Sequence, residues 1–155
     1  IMDKPESKPV GGAEKFGPTS RSLPIALLRA RERIMVPIRE MLQQSGLSEQ
    51  QWRVLRVVDE AGKIEQTAIA QAACLQLPSL TRILRSMEAD GLVFRQTDPA
   101  DRRRTLVSLT PDGEAVIRRH LSRNAEIFTT IETEFGREKL DLLLDLLAEL
   151  QDIRI

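Results

Sequence analysis

Apolar positions recur along most of this chain at helical spacing, and the first such stretch lies between Ile25 and Gln44. There Ile25, Leu28, Ile34, Ile38, Met41 and Leu42 make one stripe while Leu27, Met35 and Val36 make a second, so the predicted helix buries more than one face. Pro37 falls inside it and is expected to kink or split it, because proline lacks the N–H and crowds the preceding turn. Gly46 predicts its C-cap. Ser48, followed three residues later by Gln51, reads as a capping box opening a second helix on Trp52, Leu55 and Val58 that stops near Gly62. A short Ala-rich helix from Gln66 to Cys74 follows, and a fourth from about Pro78 through Leu80, Ile83, Leu84 and Met87 to a stop at Gly91. Three short helices within about 45 residues pack as a compact trihelical unit.

The period then changes. Leu92-Val93-Phe94-Arg95 and Leu106-Val107-Ser108-Leu109 are strand-like, and Asp98-Pro99-Ala100-Asp101 between them supplies turn residues, so a β-hairpin is predicted with Arg102-Arg103-Arg104 at its tip. Thr110-Pro111 predicts the N-cap and first turn of a long helix to about Phe135. The last predicted helix, Glu138 to Gln151, is apolar on more than one side through Leu140, Leu142, Leu143, Leu144, Leu146, Leu147 and Leu150. A chain of this length has too little remaining core to cover both terminal helices, which implies a symmetric dimer built from them. Residues 1–20, rich in Pro and Gly and poor in apolar side chains, read as a flexible tail, and Ile1 ahead of Met2 is set aside from the fold.

Composition narrows the function. The 155 residues suffice for one core, and 41% hydrophobic, 30% charged and only 3% aromatic residues describe a mainly α protein. No apolar run approaches the ~20 residues that span a bilayer, and the N-terminal stretch has no apolar core of a secretion signal, so no membrane association and a cytoplasmic location are expected. One cysteine and one histidine exclude an intrachain disulfide and a multi-cysteine zinc site, and they leave little for metal or cofactor binding. Without a nucleophile–base pair or a phosphate loop, no enzyme is expected. The net charge is zero, yet it separates along the chain: residues 21–104 carry 14 Lys/Arg against 10 Asp/Glu, and residues 105–155 carry 6 against 10.

Helix, turn, helix and then a hairpin with an arginine tip is a winged helix-turn-helix arrangement, in which one helix fits a DNA major groove and the hairpin reaches a neighbouring minor groove. On the predicted recognition helix, residues 78–90, Ser79, Thr81, Arg82 and Ser86 take the polar side, while Leu80, Ile83, Leu84 and Met87 face inward. That polar side alone is what any solvated amphipathic helix presents. The arginine tip carries more weight, because three successive cations at an apex bury nothing, and an arginine in a narrow minor groove gains from its negative potential.

Taken together, Leu77-Pro78-Ser79-Leu80-Thr81-Arg82, Met87-Glu88-Ala89-Asp90-Gly91-Leu92-Val93 and the run from Asp98-Pro99-Ala100-Asp101-Arg102-Arg103-Arg104 to Thr110 resemble the MarR family of bacterial transcriptional regulators across residues 21–151. Within it the chain is similar to the homoprotocatechuate-degradation operon repressors, through Ile25 to Glu32, Glu49-Gln50-Gln51-Trp52-Arg53 and Ala73 to Leu80. The resemblance implies dimerisation helices over 21–47 and 111–155, a winged-helix domain over 48–110 and a homodimer on a pseudo-palindromic operator. It also implies repression relieved by a small, often aromatic and anionic, ligand. Carried over, Asp101 orients Arg103, Arg103 enters the minor groove, and Arg102 and Arg104 meet phosphate. A carboxylate two residues before an arginine can fix its guanidinium through a bidentate pair.

The same pattern places an aromatic acid, free or as its CoA thioester, near Arg29, Arg33, Trp52 and Arg56, with arginine for the carboxylate and tryptophan for the ring. Trp52 reads equally as a core anchor, and the arginines as partners of Glu32, Glu49 or Asp59. Cys74, a candidate redox switch, sits in an Ala-Ala-Cys-Leu context expected to be buried and inert, and His120 is expected at the surface. A winged-helix dimer that binds a protein instead of DNA is the other class of reading, against which the arginine tip counts.

Overall fold

The structure, a computed structural model, describes residues 15–155. The predicted tail lies outside the described residues as far as position 14, and beyond it Thr19–Arg21 form one exposed 3-10 turn. The chain separates into two compact units, Ile1–Val36 and Pro37–Ile155. Helix α1 (Leu23–Gln43) begins in the first, where Leu23, Leu27, Leu28 and Val36 are exposed. Pro37 does not split α1, because a proline forfeits a single N–H and the remaining ladder carries the helix on.

In the second unit Ile38, Met41 and Leu42 are buried at the end of α1. Helix α2 (Glu49–Ala61) opens on the expected capping box: the Gln51 N–H donates to Ser48 Oγ at 3.1 Å, and the Ser48 N–H donates to Gln51 Oε1 at 3.0 Å. A three-residue strand, β1 (Lys63–Glu65), follows where sequence periodicity predicts only a connection. Helix α3 (Gln66–Ala72) stops short of Cys74, which takes a left-handed φ of 55°. The chain reverses there, so Ala73 fills the buried position and the Cys74 side chain is exposed, contrary to the expectation of a buried thiol.

Helix α4 (Leu77–Ala89) carries Pro78 in its first turn and buries Leu80, Leu84 and Met87. Ile83, expected inward with them, is half-buried. Gly91, at φ 73°, reverses the chain as the Leu92 N–H returns to the Met87 carbonyl at 2.9 Å, a left-handed turn that glycine adopts without strain. Strands β2 (Val93–Thr97) and β3 (Thr105–Leu109) form the hairpin, and β1 pairs on the other edge of β3, giving an antiparallel sheet of order β1-β3-β2. The register sets Ile64 opposite Val107 and Arg95 opposite Val107 from the far side.

Helices α5 (Pro111–Phe135) and α6 (Arg137–Gln151) complete the chain in this unit. Thr110 locks the start of α5. Its hydroxyl accepts from the Gly113 N–H at 3.0 Å and donates to the Gly91 carbonyl at 2.6 Å. Gly113 lies so close to this turn that a Cβ there would run into the Leu92 carbonyl. The core gathers Leu42, Leu55, Val58, Ile69, Leu80, Leu84, Met87 and Val107, each contributing about 1.5–3 kcal/mol on burial.

His120 is also buried, at 1% exposure, not at the surface as its polar neighbours suggest. It continues the row Gly113, Val116, Ile117, which α5 turns toward the core every three or four residues. Its Nε2 shares a 2.7 Å hydrogen bond with Ser45 Oγ, and its ring meets the Trp52 ring edge-on at a centroid distance of 5.7 Å.

Candidate nucleic-acid interface

Helices α3 and α4 form the helix-turn-helix. The apolar side of α4 fixes which residues face outward: Arg82 and Ser86 are exposed, and Ser79 and Thr81 half-buried. Ser79, Arg82 and Ser86 converge on an open groove of about 440 Å³ whose other wall is the start of α2, with Ser48, Gln50 and Gln51. Those α2 residues escape the sequence reading, which assigns Ser48 and Gln51 to capping alone. Thr81 turns elsewhere: its hydroxyl donates to the Leu77 carbonyl at 2.9 Å and accepts from Gln66 Nε2 at 2.8 Å, tying α4 to the first residue of α3.

Three carboxylates near the wing each hold an arginine, while a fourth, Asp98, accepts the Ala100 N–H at 2.9 Å. At the tip Arg103 forks onto Asp101, Nε to Oδ1 at 3.1 Å and Nη2 to Oδ2 at 3.3 Å, while the Arg103 N–H donates to the same Oδ1 at 3.1 Å. The Arg103 side chain is nonetheless 91% exposed, so it is oriented without being covered. The fork holds the Asp101 carboxyl below its ordinary value. At the base of the hairpin Glu88, on α4, receives both the backbone and the guanidinium of Arg95 on β2, at 3.1 to 3.3 Å, and its carboxyl is lowered by that arginine. Arg104 Nη2 reaches Glu65 Oε2 at 2.7 Å, which lowers Glu65 and raises Arg104. Arg102 is exposed and forms no ion pair among the described residues. The pairs Glu88–Arg95 and Glu65–Arg104 were not foreseen, since neither spacing carries a sequence signature.

Of the residues expected at an effector site, Trp52 and Arg56 line one small cavity of about 170 Å³, together with Asp59, Ile117, Leu121 and Asn124. Trp52 is 7% exposed and is therefore both core anchor and cavity wall. Arg29 and Arg33, four residues apart on α1, belong to the other compact unit. Glu49 is held by Arg39 at 3.3 Å and Arg53 at 3.9 Å. Among the described residues no helix is long and apolar enough to cross a membrane, and no group of three or more His, Cys, Asp or Glu could hold a metal ion.

A family model described as the MarR family matches residues 47–105, the span from the start of α2 to the first residue of β3. The sequence is 41% identical to the HTH-type transcriptional regulator FarR of Neisseria gonorrhoeae over 132 residues, covering 85% of this chain and 90% of that one. It is also 41% identical to the homoprotocatechuate degradative operon repressor of Escherichia coli over 128 residues, covering 83% and 86%. The structure of NadR in complex with 4-hydroxyphenylacetate matches with a TM-score of 0.78 at 41% identity, covering 86% of this chain and 94% of that one. The repressor CouR bound to a 23-mer DNA duplex matches with a TM-score of 0.78 at 30% identity, covering 88% and 97%.

Proposed function

The chain belongs to the MarR family of DNA-binding transcriptional regulators, and from that premise we propose that it is a cytoplasmic homodimeric repressor which a small aromatic acid releases from a pseudo-palindromic operator. The observation that carries the DNA-binding mode is the exposed Arg103 guanidinium held in a fork by Asp101. Fixing a guanidinium before it docks reduces the side-chain entropy lost in a minor groove, where its planar charge meets the strongest negative potential. Arg102 meets the adjoining phosphates. In the major groove Arg82 reads base edges, while the short hydroxyls of Ser79 and Ser86 allow close approach of α4 to the backbone.

For the effector, the cavity beside Trp52 and Arg56 offers an aromatic wall and a cation, the two features a phenolic or phenylacetic acid needs. Its small volume suits a single-ring acid better than a CoA thioester. The relatives support the same class, one complexed with 4-hydroxyphenylacetate and another named for homoprotocatechuate degradation.

The test selects a duplex from a random pool with the purified protein and follows its binding by fluorescence anisotropy while 4-hydroxyphenylacetate is added. Release is expected. Arg56→Ala should keep DNA affinity and lose at least about tenfold in effector response, the cost of one charge-assisted contact. If hydroxyphenylacetates, hydroxycinnamates and their CoA thioesters all leave DNA affinity unchanged, the effector assignment falls.

A further inference from the structure

Arg104 stands in the arginine run of the wing tip, yet its guanidinium is spent within the protein. The ladder between β1 and β3 ends at the pair Glu65–Leu106, because α3 begins at the next residue. Arg104 lies two residues beyond Leu106 and so on the same face of the sheet, diagonal to Glu65. Where backbone pairing runs out, the 2.7 Å ion pair continues the connection.

The backbone of Arg104 also closes the tip. Its carbonyl accepts from the Asp98 N–H at 2.9 Å and its own N–H donates to the Asp101 carbonyl at 3.0 Å, so a pinned Arg104 fixes the loop that presents Arg103. On the other side, Glu65 is joined by one peptide bond to Gln66, whose side chain donates to Thr81 of α4. The route wing tip, Arg104, Glu65, Gln66, Thr81 thus reaches the recognition helix, and Glu88–Arg95 ties the far end of that helix to β2. Helix and wing are braced along both edges.

We propose that Glu65 is a positioning residue for operator binding, holding Arg104 as a brace that sets the angle of the wing against α4, so that Arg104 makes no phosphate contact. The inference rests on the DNA-binding reading above. Two considerations support it. A carboxylate beside a polyanion opposes binding by Coulomb repulsion, so its contribution has to be geometric. The pair is also partly solvated, with side chains 51% and 26% exposed, and such surface pairs contribute little to folding stability, so variants that break it fold.

The experiment measures affinity for the selected duplex and for a random duplex, as a function of salt, in the wild type, Glu65→Gln, Arg104→Glu, the charge-swapped double variant Glu65→Arg/Arg104→Glu, and Arg103→Ala. A brace predicts that Glu65→Gln weakens selective binding about fivefold or more although it removes a negative charge, in the range of mutations that act through a coupled element. It predicts that the swap recovers most of what Arg104→Glu loses. A phosphate contact by Arg104 predicts the reverse: Glu65→Gln binds as well or tighter, the swap binds no better than Arg104→Glu, and the salt slope falls by about 0.9. Either of the first two results overturns the brace. Loss of selective binding in Arg103→Ala with none in Glu65→Gln would sink the brace alone, whereas equal wild-type affinity for both duplexes would sink the operator reading beneath it.

Discussion

His120 shows how one side chain can report on the lobe that surrounds it. Its imidazole has lost almost all solvent, and burial first, then the charge of Arg119, push its pKa below the ordinary 6.5. Arg119 Nη1 donates to Ser45 Oγ at 3.3 Å, which leaves the Ser45 proton free to point at an unprotonated Nε2. The fold therefore favours the neutral ring over the charged one. A group whose pKa is depressed on folding contributes stability that is present above its unfolded pKa and lost as pH falls through the folded one. The melting temperature of the wild type should accordingly decline as pH drops below 6.5, while His120→Gln should be flatter over the same window. The carboxylates of Glu65, Glu88 and Asp101 are also depressed, but their ordinary values of 4.5 and 3.8 place their effect in a separate, more acidic window. Ser45→Ala should cost about 1 kcal/mol at neutral pH, read by chemical denaturation. A slope through pH 6 that His120→Gln leaves unchanged would show that the ring does not carry it.

At the scale of elements, the most constrained joint is where α5 leaves the wing. Thr110 bonds both the first turn of α5 and the turn that ends α4, and Gly113 lets the helix approach the Leu92 carbonyl. Gly113→Ala gains helix propensity, yet its methyl meets backbone that cannot swing aside. The expected result is a net loss of about 1–3 kcal/mol in urea denaturation, as for other overpacked sites; a gain in stability would mean that the joint is soft. This joint was half legible. Thr110 and Pro111 announce a helix start in the sequence, as Ser48 and Gln51 do for α2 and Gly91 for the end of α4, because caps are local chemistry. The Asp101–Arg103 fork is legible for the same reason, its partners being two residues apart. By contrast β1 is three residues long and exists through pairing with β3, and Glu65 meets Arg104 across 39 positions, so no local window contains either. Cys74 and His120 were misread in opposite directions: an apolar neighbourhood concealed a left-handed reversal, and a polar one concealed a residue in register with Val116 and Ile117.

For the whole molecule, the unanswered surface is α6. It buries no residue in the single chain, and Leu142, Leu143, Leu144 and Leu146 stand 40–57% exposed, with Phe128 and Phe135 of α5 at 40% and 45%. That much exposed apolar surface marks an interaction site, and the second copy of the chain proposed above is the partner that would also supply a second recognition helix. Dimerisation and DNA affinity are then linked, because tethering two half-site readers makes the second contact intramolecular and raises the overall affinity by about 10²–10⁴. Leu143→Asp with Leu146→Asp desolvates carboxylates wherever that face is covered. The double variant should sediment as a folded monomer and lose operator affinity by about that factor, while its affinity for random duplex at low salt falls far less, since phosphate contact needs no second half-site. A double variant that still sediments as a dimer would place the twofold contact off this face. A wild type that is monomeric at micromolar concentration yet binds its selected duplex would remove the dimer from the mechanism.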